Sequence, residues 1–466
     1  MSEAGFQDQL ERIRQKLDQV RALGADGLKV FGAETHRYAL NPPLADAEVA
    51  GFEARHGIEL PAAYRAFVTE IADGGAGPYY GIYKLGDGLR EQAPIADDFL
   101  SAPAWIHPQI DPDAWEAACA EAEAGPDTDE ALVAWERRYY GGTLILGTQG
   151  CAIYHALILN GPHAGRIAYF DQEENRPFVC YEANFLDWYE RWLDEILDGT
   201  LRADGPSWFG HAMGGDDAAL MAAYAKAPDD ATRREALFGL SQKPAVSAET
   251  LEALEEIART TTGEVQELAR KGLAKFDFAR ARPLLFEMIA AGGLSLRQAC
   301  QFIHWFGTDE AARFVDALTP HQADIAESET LNWYLYVLED AGIDLADRLA
   351  PLVEHPEMRF RRRVQSTLAK APDAEAVVPL ILRGLSDADP KVVHAALQAS
   401  SGGDRDAFRP AYRAVAARFV EDAHHIHANL DALARRMGLA GREAFLEPEA
   451  TATASLLDRV RNWFGG

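Results

Sequence analysis

Phe6, Leu10, Ile13, Leu17 and Val20 recur at spacings of four, three, four and three, which predicts an amphipathic helix at the start of the chain. A second helix is expected from Asp46, with Val49 and Phe52 inward and Gly57 as its stop. Leu60-Pro61 opens a third, because proline suits a first helical turn whose N–H has no partner anyway. Tyr64, Phe67, Val68 and Ile71 form its apolar stripe, and Gly74-Gly75 ends it. The period then shortens. Residues 78–85, 143–147, 152–159, 166–170 and 177–181 are rich in β-branched and aromatic side chains and read as strands. Asn160-Gly161 predicts a hairpin joining 152–159 to 166–170. Asn184 is placed to cap a last helix with Phe185, Trp188, Tyr189, Trp192, Leu193 and Ile196 inward. Helices, then strands, then one helix describe an α+β domain with an antiparallel sheet flanked by helices.

Beyond Met213-Gly214-Gly215 the strand pattern stops, and residues 216–445 read as helices broken by short polar turns. Related helices begin near Ala231, Glu264, Ser295, Glu329, Pro356, Pro390 and Asp422, at intervals of 33, 31, 34, 27, 34 and 32. The clearest copies are 263–276, 356–373 and 387–400, each a turn followed by a helix with alanine at close-packing positions. One such pair cannot bury its apolar face alone, so neighbours must stack. Segment 454–464, with Leu456, Leu457, Val460 and Phe464, is placed to cap the last unit. The expected domains are a helical extension over 1–40, an α+β domain over 41–205 and an all-α array over 216–466.

Two resemblances follow from these residues. Gly57-Ile58-x-Leu60-Pro61, Tyr64, Phe67, the glycine-rich turn, Gly81-Ile82, Gly150-Cys151, Asn160-Gly161 and the closing aromatic helix 185–193 resemble the SUKH superfamily. That superfamily includes Smi/Knr-type regulators of cell-wall synthesis and bacterial immunity proteins. The later units resemble HEAT-like repeats, which implies an all-α solenoid. The resemblance to immunity proteins implies a non-catalytic module that binds and neutralises a toxin domain, a nuclease for instance. The alternative is a regulatory scaffold whose array holds a cellular partner.

Charge sharpens this picture. The 466 residues carry 73 acidic and 45 basic side chains, a net of −28. Residues 1–210 hold 35 of the acids against 16 bases. Residues 91–136 contain twelve carboxylates and no lysine or arginine, and eight of them lie between Asp111 and Glu130. Such a surface repels nucleic acid and anionic lipid and attracts basic protein partners. Asp111, Asp113, Glu116, Glu121 and Glu123 are the candidate docking residues. Tyr79 and Tyr80 join them as candidate aromatic anchors, since tyrosine is enriched at binding hot spots.

Other chemistry is not indicated. No Gly-x-Ser-x-Gly elbow, dinucleotide or kinase glycine pattern, or His-Glu-x-x-His helix occurs, so no enzyme and no cofactor is expected. The glycines at 74, 75, 77 and 81 lack the Gly-Lys-Ser/Thr of a phosphate loop and read as turns. Some HEAT-like proteins are alkylated-base glycosylases, which need a basic face that an array of net −9 does not advertise; others are bilin lyases, which charge does not reject. Cys119, Cys151, Cys180 and Cys300 stand too far apart for a thiolate metal site and read as reduced thiols. His424, His425 and His427 are expected as a solvated or capped cluster on a helix. Arg359, Arg361, Arg362 and Arg363 are expected in ion pairs with Glu354, Glu357, Asp373 and Glu375 on an inner helix. The first 20 residues lack an apolar signal core and no stretch is long and apolar enough to span a membrane, so a cytoplasmic location is expected.

Overall fold

The computed structural model describes residues 6–91, 95–171, 175–202, 208–402 and 405–447. The chain divides into two compact units, Met1–Gly272 and Leu273–Gly466. The first is α+β and the second is helical.

The opening helices form where the apolar spacing places them. α1 (Gln7–Ala22) buries Leu10, Ile13, Leu17 and Val20. α2 (Asp46–His56) ends at Gly57, whose φ of +62° is left-handed and suits a residue without a β-carbon. α3 (Ala62–Glu70) buries Tyr64, Phe67 and Val68. Two helices then occupy the acidic stretch, α4 (Pro112–Ala124) and α5 (Asp129–Tyr139).

Four strands follow: β1 (Thr143–Gly150), β2 (Ile153–Ile158), β3 (Ile167–Asp171) and β4 (Phe178–Val179). They pair antiparallel in sequence order. The β2–β3 hairpin turns through residues 160–165, where Asn160-Gly161 predicts it. The β1–β2 turn is tighter than the sequence suggests. Gly150 pairs with Ile153, and both Cys151 and Ala152 adopt positive φ. That is the backbone of a two-residue hairpin turn, here without the usual Asn-Gly.

Segment 78–85 is not a strand. Tyr79 lies at φ +58° and Gly81 at +100°, which breaks the extended run. Isolated contacts survive: a bridge from Gly75 to Ile82, Tyr83 N–H donating to Leu146 O at 2.6 Å, and Tyr80 N–H donating to Thr148 O at 3.4 Å. A β-carbon at Gly81 would lie 2.4 Å from Gly75 O.

Alternation along the strands gives the sheet two apolar faces. On one, His155 and Tyr169 meet Trp188 of α6 (Phe185–Leu197), and Trp188 Nε1 donates to the Tyr169 hydroxyl at 2.9 Å. On the other, Phe170 stacks on Tyr140 with centroids 4.7 Å apart, and Tyr140 meets Trp115 of α4 and Trp135 of α5. α6 is capped by Asn184, whose side chain accepts from Asp187 N–H, and its six expected inward residues are all buried.

Four further helices complete the first unit or begin the second: α7 (Asp217–Lys226), α8 (Asp230–Ser241), α9 (Ala248–Thr260) and α10 (Gly263–Phe276). Within the second unit come α11 (Phe278–Ala291), α12 (Gly293–Phe306), α13 (Ser328–Asp340), α14 (Met358–Leu368), α15 (Val378–Leu385), α16 (Pro390–Ala399), α17 (Arg405–Arg418) and α18 (Ile426–Arg436). The series α12, α13, α14, α16 and α18 packs each member against the next. The units near 295 and 329 depart from the others as their sequences do. Short helical turns replace their companion helices, over Thr308–Asp324 and Ala346–Glu354, where Pro320 and Pro351 interrupt longer helices.

The histidine cluster is a correction. His424 and His425 lie at positive φ in the turn before α18, not on a helix, and His427 Nε2 is engaged with Phe419 O at 2.7 Å. Asp422 accepts from His427 N–H at 2.9 Å and fixes this turn. The capping segment 454–464 lies outside the described residues.

Gly81→Ala is expected to destabilise the first unit by about 2 kcal/mol, from an unfavourable φ and a backbone clash. Calorimetry of the full chain checks it. An unchanged melting profile would show that the turn tolerates a side chain.

Candidate partner-binding site

The acidic stretch folds because its ends are capped and its inner face is aromatic. The Asp111 carboxylate accepts from Asp113 N–H at 2.8 Å and Ala114 N–H at 3.3 Å, and Pro112 fills the first turn of α4. Thr128 caps α5, its hydroxyl accepting from Ala131 N–H at 3.3 Å. Asp129 and Glu130 sit in the first turn of α5 and Arg137 and Arg138 in its last, the arrangement a helix dipole favours. Trp115 and Ala118 are buried, and Trp135 Nε1 donates to Ala118 O at 2.8 Å, locking the two helices together. Asn160 ties the approach to this hairpin to the sheet: its Oδ1 accepts from Ala104 N–H and its Nδ2 donates to Ala102 O, both at 2.8 Å.

The outer face is acidic, and every residue from Glu121 through Glu130 is exposed, as are Asp113 and Glu116. The five candidate carboxylates separate by role. Asp111 is a helix cap. Glu121 accepts from Arg138 at 2.9 Å and from the Tyr139 hydroxyl at 2.8 Å. Asp113, Glu116 and Glu123 are exposed and form no ion pair among the described residues. A groove of about 800 Å³ runs along the hairpin. Ala122, Ala131, Leu132 and Trp135 give it an apolar floor, and Glu121, Glu123, Asp127 and Asp129 an acidic rim. It gathers Glu121 and Glu123 and leaves out Asp111, Asp113 and Glu116.

The two tyrosines part company. Tyr79 is 3% exposed and its hydroxyl donates to Phe209 O at 2.7 Å, so it is core and not an exposed anchor. Its left-handed backbone turns it inward while its neighbour turns out. Tyr80 is 39% exposed and meets Phe31 edge-on at 5.6 Å. Phe31 in turn lies 6.3 Å from Trp208, which is 53% exposed. Sequence reasoning missed Phe31 and Trp208, since no periodic pattern links residues so far apart.

A second acidic region surrounds α6. Arg191 donates to Glu182 at 2.6 Å, to Glu195 at 2.8 Å and to Ala212 O at 2.8 Å. Glu190 is held by Arg12 and Lys16, each at 2.8 Å. Burial opposes ionisation of Glu190, but the hydrogen bonds and charges of Arg12 and Lys16 prevail and hold it down at about 2. These carboxylates are engaged in holding the fold. His155 is fully buried and burial pushes it down to about 3, so it is a neutral core residue. Cys119, Cys151, Cys180 and Cys300 are all free thiols; Cys180 and Cys300 are buried and Cys151 is exposed. Among the described residues no group of three or more His, Cys, Asp or Glu is set to hold a metal ion, and no helix is long and apolar enough to cross a membrane. No protein-family model matches the chain, and no curated protein matches it.

Glu136, on the inner side of α5, is the exception to the hairpin's solvated acids. Burial raises it to about 7. A carboxylate raised in the folded state destabilises the fold increasingly as pH climbs from the unfolded value to the folded one. Glu136→Gln is therefore expected to leave stability at pH 4.5 unchanged and to raise it at pH 8, by on the order of 1 kcal/mol once solvent screening is allowed for. Thermal melts across pH 4.5–8 check it. A variant that tracks the parent at both ends would place Glu136 in solvent.

Proposed function

We propose that this chain is a non-catalytic binding protein whose acidic hairpin docks a basic protein partner, and that it neutralises a toxin domain in the cytoplasm. The observation that carries the reading is the set of exposed carboxylates without ion pairs, Asp113, Glu116 and Glu123, beside a groove with an apolar floor. Unpaired acids on a rigid support set up the long-range field that speeds encounter with a basic surface. The floor at Leu132 and Trp135 offers apolar burial once the partner has arrived.

The resemblance of 40–200 to SUKH proteins supports the immunity reading, and the order of helices, sheet and closing aromatic helix fits it. The stacked helices of the second unit fit the HEAT-like reading of 216–445. A nuclease domain is the charge-matched partner, because its phosphate-seeking cleft is basic. The immunity reading places such a toxin in the adjacent reading frame of the source genome.

Asp113→Lys/Glu116→Lys/Glu123→Lys is expected to slow association with that toxin domain by about tenfold or more at low salt and to flatten its salt dependence. Stopped-flow kinetics over a salt series checks this. Unaltered association would sink the hairpin as the docking face. Failure of the unmodified chain to protect cells expressing the toxin would sink the immunity reading itself.

A further inference from the structure

The second unit carries a pocket of opposite sign. Three consecutive helices of its stacked series each turn a stripe of side chains toward one cavity of about 480 Å³. α14 contributes Arg359, Arg362, Arg363 and Ser366, spaced i, i+3, i+4 and i+7. α16 contributes Lys391, His394, Ala395 and Gln398, at the same spacing on its own face. α13 contributes Ser328 and Asn332. None of the lining residues is acidic.

Among the described residues the expected salt bridges form at Arg361 and Arg363, loosely at Arg359, and not at Arg362. Arg361 forms a two-pronged pair with Asp387 at 2.6 and 3.0 Å and does not line this cavity. Arg363 is held by Asn332 at 2.9 Å and by Glu339 at 3.4 Å. Arg359 has only a loose contact, 3.6 Å, to Glu357. Arg362 and Lys391 are exposed and form no ion pair among the described residues. Two of the carboxylates expected to neutralise the patch act elsewhere: Glu354 pairs with Arg383, and Asp373 caps the turn at Glu375 and Ala376. His394 is the neutral member of the set: burial lowers its pKa, and His425, His424 and Arg362 lower it further.

In a chain of net −28, an acid-free cavity holding unpaired cations is a local reversal of the surface. Arg362 and Arg359 present forked donors, Lys391 a point charge, and Ser328, Ser366, Asn332 and Gln398 neutral polar groups. Guanidinium and ammonium groups so placed match phosphate oxygens. The volume falls in the range of small-ligand sites, about 300–1,000 Å³. An extended polyanion would also meet the surface of a chain of net −28, whereas a compact one fits within the cationic patch.

We propose that the pocket formed by Arg359, Arg362, Lys391 and His394 binds a small phosphorylated molecule. The site is separate from the acidic hairpin and does not rest on the immunity reading. Isothermal titration of the full chain with inorganic pyrophosphate is expected to show saturable one-site binding. Arg362→Gln/Lys391→Gln is expected to weaken it at least about tenfold, the loss of one charge-assisted contact or more. Arg90→Gln, at an exposed arginine in the first unit, is expected to leave it unchanged. Thermal melts establish that each variant is folded. Absence of saturable binding, or equal binding by the pocket variant and its parent, would overturn the assignment. Tighter binding of a DNA duplex than of pyrophosphate at equal phosphate concentration would overturn the choice of a compact ligand.

Discussion

A small sheet with two apolar faces has to be covered twice. In β2 and β3 successive residues alternate between Trp188 on one side and Tyr140 with its tryptophan neighbours on the other, and all five residues of β3 are buried. The closing aromatic helix covers the first face. The second would stand in water without the hairpin of α4 and α5, which is made of the most acidic part of the chain. That requirement explains why so charged a segment is ordered. Its caps satisfy the helix ends, its tryptophans present apolar surface to the sheet, and its carboxylates are left to point away.

The same constraint sorts the carboxylates. Those near α6 lie where solvent is scarce, and each is matched: Glu190 by Arg12 and Lys16, Glu182 and Glu195 by Arg191. An unmatched carboxylate there would carry the full penalty of desolvation. On the hairpin's outer face that penalty is absent, so Asp113, Glu116 and Glu123 need no partner. The excess charge of the first unit is thus displayed where the fold tolerates it best, and that place also has an apolar groove. Carboxylates displayed in this way set up a negative field that reaches into solvent without any ion pair having to be broken.

Much of this was legible beforehand because it is local. The stripe of α1, the glycine stop of α2, the Asn184 cap and the Asn160-Gly161 hairpin all depend on residues within a few positions of each other. The failures share a cause as well. Segment 78–85 has strand-like composition, but Tyr79 and Gly81 at positive φ answer to packing against the sheet and not to local preference. The same turn buries Tyr79 and exposes Tyr80, a choice that alternation alone cannot make. His424 and His425 leave the helical path because Asp422 caps the turn around them.

The arginine patch shows why distance along the chain matters more than composition. Its flanking acids suggest neutralisation, yet Arg361 and Arg363 take partners 26 and 24 residues away, on neighbouring elements. Stacking therefore decides which charges cancel. Each helix of the series contributes the same i, i+3, i+4 stripe to one surface, so a property absent from any single repeat arises when three are laid side by side. On α14 the stripe is cationic, on α16 it adds Lys391 beside His394, and on α13 it adds Ser328, Leu331 and Asn332, none of them charged. Had α13 placed a carboxylate at Ser328 or Asn332, the cations would be quenched in the manner of Arg361. The composition of the unit, net acidic, hides this because the sign of a cavity is set by the few side chains that reach it.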